Sequence, residues 1–155
     1  MTDMEALRED LAALAGKLDI MLAREAIREL RARYSWHSTR GDWRQIADLF
    51  TIDGVFDAER PNGEHMIVRG RENIFEGLQR TDSLVIPLVA NEIIEIRGMT
   101  AVGSCTMLTP VGPDFPSSGS TLTDGFFGQY HDEMRCEDGR WLFTLRRFYQ
   151  APRKT

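Results

Sequence analysis

Two cysteines in 155 residues, Cys105 and Cys136, are too few for a disulfide framework. The expectation that follows is a reduced, cytoplasmic protein, with a single optional bridge left open. There is no basic excess. Nineteen Lys and Arg stand against 24 Asp and Glu, for a net charge of −5, which argues against a nucleic-acid partner. No apolar run approaches the roughly 20 residues that cross a bilayer, and Met1–Glu5 lacks the basic-then-apolar plan of a leader. Metal-ligand spacings such as His-x-His or Cys-x-x-Cys are missing. No glycine-rich phosphate loop follows a strand, and Ser104, Ser117 and Ser118 lack a glycine-flanked nucleophile turn. Neither a metal nor a cofactor is therefore expected. No repeat, low-complexity tract or linker divides the chain, so residues 1–155 read as one domain with 1–20 as a helical extension. A 42% hydrophobic fraction suffices for a real core.

The first third reads as helical. Thr2-x-x-Glu5 fits a capping box, and Leu7, Leu11, Leu14 and Leu18 recur at spacings of three or four, one apolar helix face. Asp19 can cap a second helix through Arg40 with the stripe Ala23, Ile27, Leu30 and Tyr34. A third, short helix is expected to hold Ile46, Leu49 and Phe50. From there strands dominate: Gly54–Asp57, His65–Val68, and after a helix from Arg71 to Arg80, Ser83–Ile96, Thr100–Thr109, Thr121–Cys136 and Arg140–Gln150. Asp138-Gly139 marks a two-residue hairpin. Helices first, then a mostly antiparallel sheet, is an α+β order. Val111–Ser120 is Pro-, Gly- and Ser-rich and reads as a loop beside a cavity mouth, with Phe115 as its apolar lid residue.

Four stretches share an order and spacing with a known family. They are Ala26-Ile27-Arg28-Glu29-Leu30 with Tyr34 and Gly41-Asp42-Trp43; Ala47–Phe56; Val68-x-Gly70-Arg71-Glu72-x-Ile74; and Tyr130-x-Asp132 with Asp138–Trp141. On these the chain resembles the SnoaL-like branch of the nuclear-transport-factor-2-like superfamily. The resemblance implies an α+β cone, a bent sheet wrapped against the N-terminal helices, and often a dimer. Its enzymes include scytalone dehydratase, bile-acid dehydratase and polyketide cyclases; other members are binding or accessory modules. The dehydratases' tyrosine matches Tyr34, but their aspartate falls on Thr39 and their histidine on Pro87. The general-base dyad of that chemistry is thus absent.

With a two-residue turn at Asp138-Gly139, regular pairing places Cys136, Met134, Asp132, Tyr130, Trp141, Phe143, Leu145, Arg147 and Tyr149 on one, helix-facing side. Asp132 and Arg147 become diagonal neighbours, either a structural ion pair or a pocket wall. Tyr34 is either a core tyrosine or a hydrogen-bond donor to a substrate carbonyl. His37, one turn further on, is either structural or the substitute base. The expected pocket comprises Thr39, Phe56, Pro87, Tyr130, Asp132, Arg147 and Tyr149 around the candidate catalytic pair Tyr34 and His37. Two functions remain open. One is a cofactor-independent lyase or isomerase acting on an apolar cyclic or polyketide-like ligand. The other is a non-catalytic ligand-binding or dimeric accessory module. Leu142 and Phe148, read as large apolar residues on the outer face, make that face the expected homodimer surface.

Overall fold

A computed structural model describes residues 2–60, 62–80, 87–109 and 126–151. The loop 111–120, with its lid residue Phe115, lies outside them. The first helix, α1, runs unbroken over Asp3–Arg40. Its capping box forms as the sequence predicts: the Glu5 amide donates to Thr2 Oγ1 (3.3 Å) and the Thr2 amide to Glu5 Oε2 (2.7 Å). Asp19 caps nothing. It sits mid-helix, because neither it nor Gly16 is strong enough to interrupt a run of good helix formers. The stop is Gly41, whose φ of 69° few other residues adopt readily. Then come α2 (Trp43–Ala47), shorter than expected because Phe50 already opens a strand, β1 (Phe50–Glu59), β2 (His65–Arg69) and α3 (Arg71–Gln79). The remaining strands are β3 (Leu88–Arg97), β4 (Thr100–Thr109), β5 (Phe126–Glu137) and β6 (Arg140–Gln150).

The strands make one unclosed, curved sheet in the order β2-β1-β6-β5-β4-β3. Every pairing is antiparallel except β1 with β6. Pro87 directly precedes β3, the edge strand, where a missing amide does least harm to the ladder. The core half of α1 lies over one sheet face, and Ile27, Leu30 and Tyr34 pack there with Phe50, Met107, Tyr130, Met134, Phe143 and Phe148. No helix among the described residues is long and apolar enough to cross a membrane. Cys105 and Cys136 are both free thiols.

The hairpin departs from regular pairing. Trp141 faces Cys136 and Phe143 faces Met134, but then Leu145 faces Glu133, leaving Thr144 as the extra residue of a bulge. Beyond it every β6 residue is displaced by one, so Arg146 pairs with Asp132, Arg147 with His131 and Phe148 with Tyr130. A one-residue slip reverses which face a side chain occupies. Arg146 and Phe148 therefore face the helix, and Arg147 and Tyr149 face away from it. Phe148 is 8% exposed and Leu142 6%, so neither presents an apolar surface to a partner.

Candidate functional site

The helix-facing side of the sheet encloses an ionic cluster in an aromatic setting. Arg31 enters from α1, between Leu30 and Tyr34 on the buried stripe, and is fully buried. Its Nε donates to Asp132 Oδ2 at 2.9 Å, and its Nη1 lies 3.6 Å from Glu92 Oε2. Arg146, also fully buried, donates from Nη1 to the same Asp132 oxygen at 3.3 Å. Gly103, paired with Asp132, makes room for this arrangement. A Cβ there would stand 2.8 Å from Arg31 Nη2 and press on the Ile93 carbonyl oxygen.

Three rings surround the Arg146 guanidinium: Tyr130 at 3.7 Å, Tyr34 at 4.2 Å and Phe143 at 4.6 Å from carbon to ring centroid. Desolvated contacts of this kind are worth up to about 2 kcal/mol each. Tyr34 meets Tyr130, Phe143 and Phe50 edge-on, at centroid distances of 6.1, 6.0 and 6.4 Å. Burial drives the Tyr34 phenol well above its ordinary range, the neighbouring Tyr130 adding to it, and burial raises Tyr130 too. Both phenols are therefore neutral hydrogen-bond donors at physiological pH, not anions. Burial acts against the Arg146 charge, but Asp132 and the two phenols outweigh it and the net shift is upward. Burial also raises the Cys105 thiol and keeps it protonated.

The cluster is not satisfied internally. Arg31 Nη1 and Nη2, Arg146 Nε and Nη2, and Asp132 Oδ1 are buried without a hydrogen-bond partner, as are Ser35 Oγ and Glu92 Oε2. Buried polar atoms in native proteins nearly always have partners. In this state Arg31 and Arg146 hold unused N–H donors and Asp132 Oδ1 is an unused acceptor.

The SnoaL-like domain family matches residues 19–147. This chain belongs to the SnoaL-like family. Solved structures with the same fold include a nuclear-transport-factor-2-like protein with a cystatin-like fold from Novosphingobium aromaticivorans (21% identity, 89% of this chain and 88% of that one, TM-score 0.74). A protein of unknown function from Mycobacterium tuberculosis is 22% identical over 86% of this chain and 74% of its own, with a TM-score of 0.70. A scytalone dehydratase candidate from N. aromaticivorans is 20% identical over 85% and 86%, with a TM-score of 0.67. At these identities the likeness is one of fold. No curated protein matches the chain significantly.

Within this SnoaL-like frame the sequence-derived residues separate into three groups. Tyr34, Tyr130 and Asp132 come together in the buried cluster, and Phe56 packs partly buried against the same core. Pro87 is buried at the start of the edge strand. Thr39 donates its hydroxyl to the Trp36 carbonyl (2.7 Å), as helical threonines do. His37 is bound up with the helix end: its Nδ1 lies 3.3 Å from Asp42 Oδ2, the oxygen that also accepts from Arg40 Nε at 2.9 Å. Hydrogen bonding to His37 and Arg40 holds the Asp42 carboxyl below its usual range. Sequence reasoning missed Arg31, Arg146, Glu92 and Cys105.

Arg147 and Tyr149 stand on the open face, in a second network. Arg147 Nε donates to Asp57 Oδ2 at 2.6 Å and Nη1 reaches the Tyr149 hydroxyl at 3.5 Å. His65 Nδ1 lies 2.7 Å from Asp57 Oδ1. Burial works to raise the Asp57 pKa, but the hydrogen bonds with His65 and Arg147 outweigh it and the carboxyl is held below the usual range. A depressed folded-state pKa stabilises the fold above the unfolded value, about 4, and that stabilisation disappears as pH falls through the folded value. Wild type should therefore exceed Asp57→Asn in urea midpoint at pH 7, and the gap should narrow once pH drops below about 4. A gap that stays constant down to pH 3 would remove Asp57 from the acid response.

Proposed function

We propose that this SnoaL-like domain binds a small apolar cyclic ligand carrying a carbonyl or carboxylate oxygen between α1 and the sheet, and acts on it as a cofactor-independent lyase or isomerase. The observation that carries this reading is the set of unpartnered guanidinium atoms around Arg146, inside a ring of aromatic side chains. A fixed cation and a neutral phenol stabilise negative charge that grows on a carbonyl oxygen when a neighbouring proton leaves. Asp132 Oδ1 accepts no hydrogen bond, while Oδ2 of the same carboxylate accepts from Arg146, and Oδ1 takes the proton-accepting role that Thr39 and Pro87 cannot. The aromatic walls hold the ligand ring. In this reading His37 orients the end of α1 through Asp42.

A second reading is favoured by the missing dyad at Thr39 and Pro87: a binding or accessory module with the same ligand chemistry and no turnover. One experiment separates the two. Calorimetric titration with a panel of cyclic ketones and aromatic carboxylates is run on wild type, Arg146→Lys and Tyr34→Phe, with absorbance monitoring of the ketones for elimination or isomerisation. Arg146→Lys keeps the charge but loses the planar fork, and should weaken binding by tenfold or more, a difference of about 1.4 kcal/mol. Tyr34→Phe should lower turnover by about 10²-fold with little change in affinity. Binding without turnover in wild type leaves the module reading. Equal affinities in all three proteins would overturn both.

A further inference from the structure

The N-terminal half of α1 presents a stripe that the domain leaves uncovered. Met4, Leu7, Leu11, Leu14, Leu18 and Met21 are 61, 54, 57, 63, 52 and 67% exposed. Their spacings alternate three and four, the a and d positions of a heptad repeat. An α-helix turns about 100° per residue, so this stripe and the core stripe of Ile27, Leu30 and Tyr34 are centred on opposite sides of one helix axis. The sheet that buries the second cannot reach the first. The stripe also lies almost wholly ahead of residue 19, where the family match begins.

We propose that this segment is one strand of an antiparallel two-stranded coiled coil with a second copy of this chain. A heptad stripe is complementary to another of the same repeat, and the two-fold axis of a homodimer supplies one. The charges flanking the seam select the direction. With Met4 opposite the partner's Met21, Leu7 opposite the partner's Leu18 and Leu11 opposite the partner's Leu14, the g positions meet. Asp3 then lies beside the partner's Arg24 and Asp10 beside the partner's Lys17, each pair occurring twice. All four residues are exposed in the single chain. A parallel arrangement makes only the pair of Asp3 with the partner's Arg8 and sets Lys17 against the partner's Leu22. A lipid surface is a poor occupant. Residues 3–22 carry Asp3, Glu5, Glu9, Asp10 and Asp19 against Arg8 and Lys17, whereas helices that lie on membranes are rich in Lys and Arg. The pairing also gives the segment's apolar face the tertiary packing from which most helical stability in proteins comes.

Sedimentation equilibrium on the full chain at micromolar concentration tests the proposal. Wild type should associate, and Leu11→Glu/Leu14→Glu should lose one association step, with the dissociation constant raised about 100-fold or more. Its near-UV spectrum and thermal midpoint extrapolated to infinite dilution should be unchanged, since both leucines are outside the core. Direction is read by disulfide trapping in a Cys136→Ser background. A mixture of Leu11→Cys and Leu14→Cys should cross-link faster than either alone. A monomeric wild type, or a double variant of unchanged mass, would overturn the association. Faster trapping of Leu14→Cys with itself would overturn the antiparallel arrangement. Wild-type binding to phosphatidylglycerol vesicles that the double variant lacks would assign the stripe to lipid and overturn the proposal as well.

Discussion

Asp132→Ala is expected to destabilise the fold by about 3–5 kcal/mol, because it leaves the buried Arg146 guanidinium with no counter-charge and Arg31 with Glu92 alone, 3.6 Å away. Arg31 and Arg146 both donate to Asp132 Oδ2, and neither they nor the carboxylate have measurable side-chain exposure. In a chain of this size that loss corresponds to a fall of roughly 6–20 °C in thermal midpoint. A urea titration followed by fluorescence measures it directly. The corollary discriminates between charge stranding and lost packing. Replacing Arg31, Asp132 and Arg146 together by methionine or leucine should recover most of the stability, since apolar groups of similar volume replace buried ion clusters at little penalty. That triple variant should bind none of the ketones or carboxylates. If Asp132→Ala alone melts within 2 °C of wild type, about 1 kcal/mol or less, the cluster is not what holds the helix to the sheet.

Phe148→Glu is expected to prevent folding. Truncating a core phenylalanine costs about 3–5 kcal/mol, and a buried carboxylate with no partner adds several more. Phe148 is 8% exposed and its ring lies 5.7 Å from that of Tyr130. A regular β5–β6 register puts the same residue on the outer face, where a charge would weaken a dimer and spare the fold. The two positions give opposite results in one near-UV spectrum. A native-like spectrum with halved mass would restore the outer-face position and refute the bulged register.

The difference between those positions shows where a sequence is legible. The Thr2 cap, the helix end at Arg40 and the element order from α2 onward are local properties, fixed by chemistry within a few residues of each feature, and they appear where expected. Tyr34, Tyr130 and Asp132 were found because they fall on the periodic faces of an undisturbed helix and of a strand that keeps its own alternation. Arg146 was lost because Thr144 carries no mark of a bulge. A threonine in the middle of an apolar strand looks like any other strand residue, and the displacement arises only when two strands twist together. Asp19 misled for a related reason: it is a good cap in isolation, but the helix on both sides of it is more favourable than a break.

Arg31 was legible and was passed over. It occupies the stripe of Ile27, Leu30, Tyr34 and Ser38, where a charge is out of place unless something inside the fold requires it. The same holds for the leucines of the first five turns. Their period marks one apolar helix face without saying what covers it. The phase of that face relative to Ile27 and Tyr34 sets the two stripes on opposite sides of the helix.

The extra residue at Thr144 gives the neighbouring arginines an unusual redundancy. Arg146 and Arg147 are adjacent, one serving the helix side and the other the open side. Deleting Thr144 would leave Arg146 against Asp132, but drawing Thr144 into the ladder opposite Glu133 would exchange them: Arg147 would enter the aromatic interior and Arg146 would inherit Asp57. The cation would survive that inversion, whereas the hydrophobic partner would not, because Phe148 would be expelled and Tyr149 drawn in with a hydroxyl to satisfy. Closing the bulge thus rewires the lining of the interior without altering a single letter of the sequence. Relatives of the same length that pair this position regularly would share the arginine pair and yet line the interior with tyrosine in place of phenylalanine.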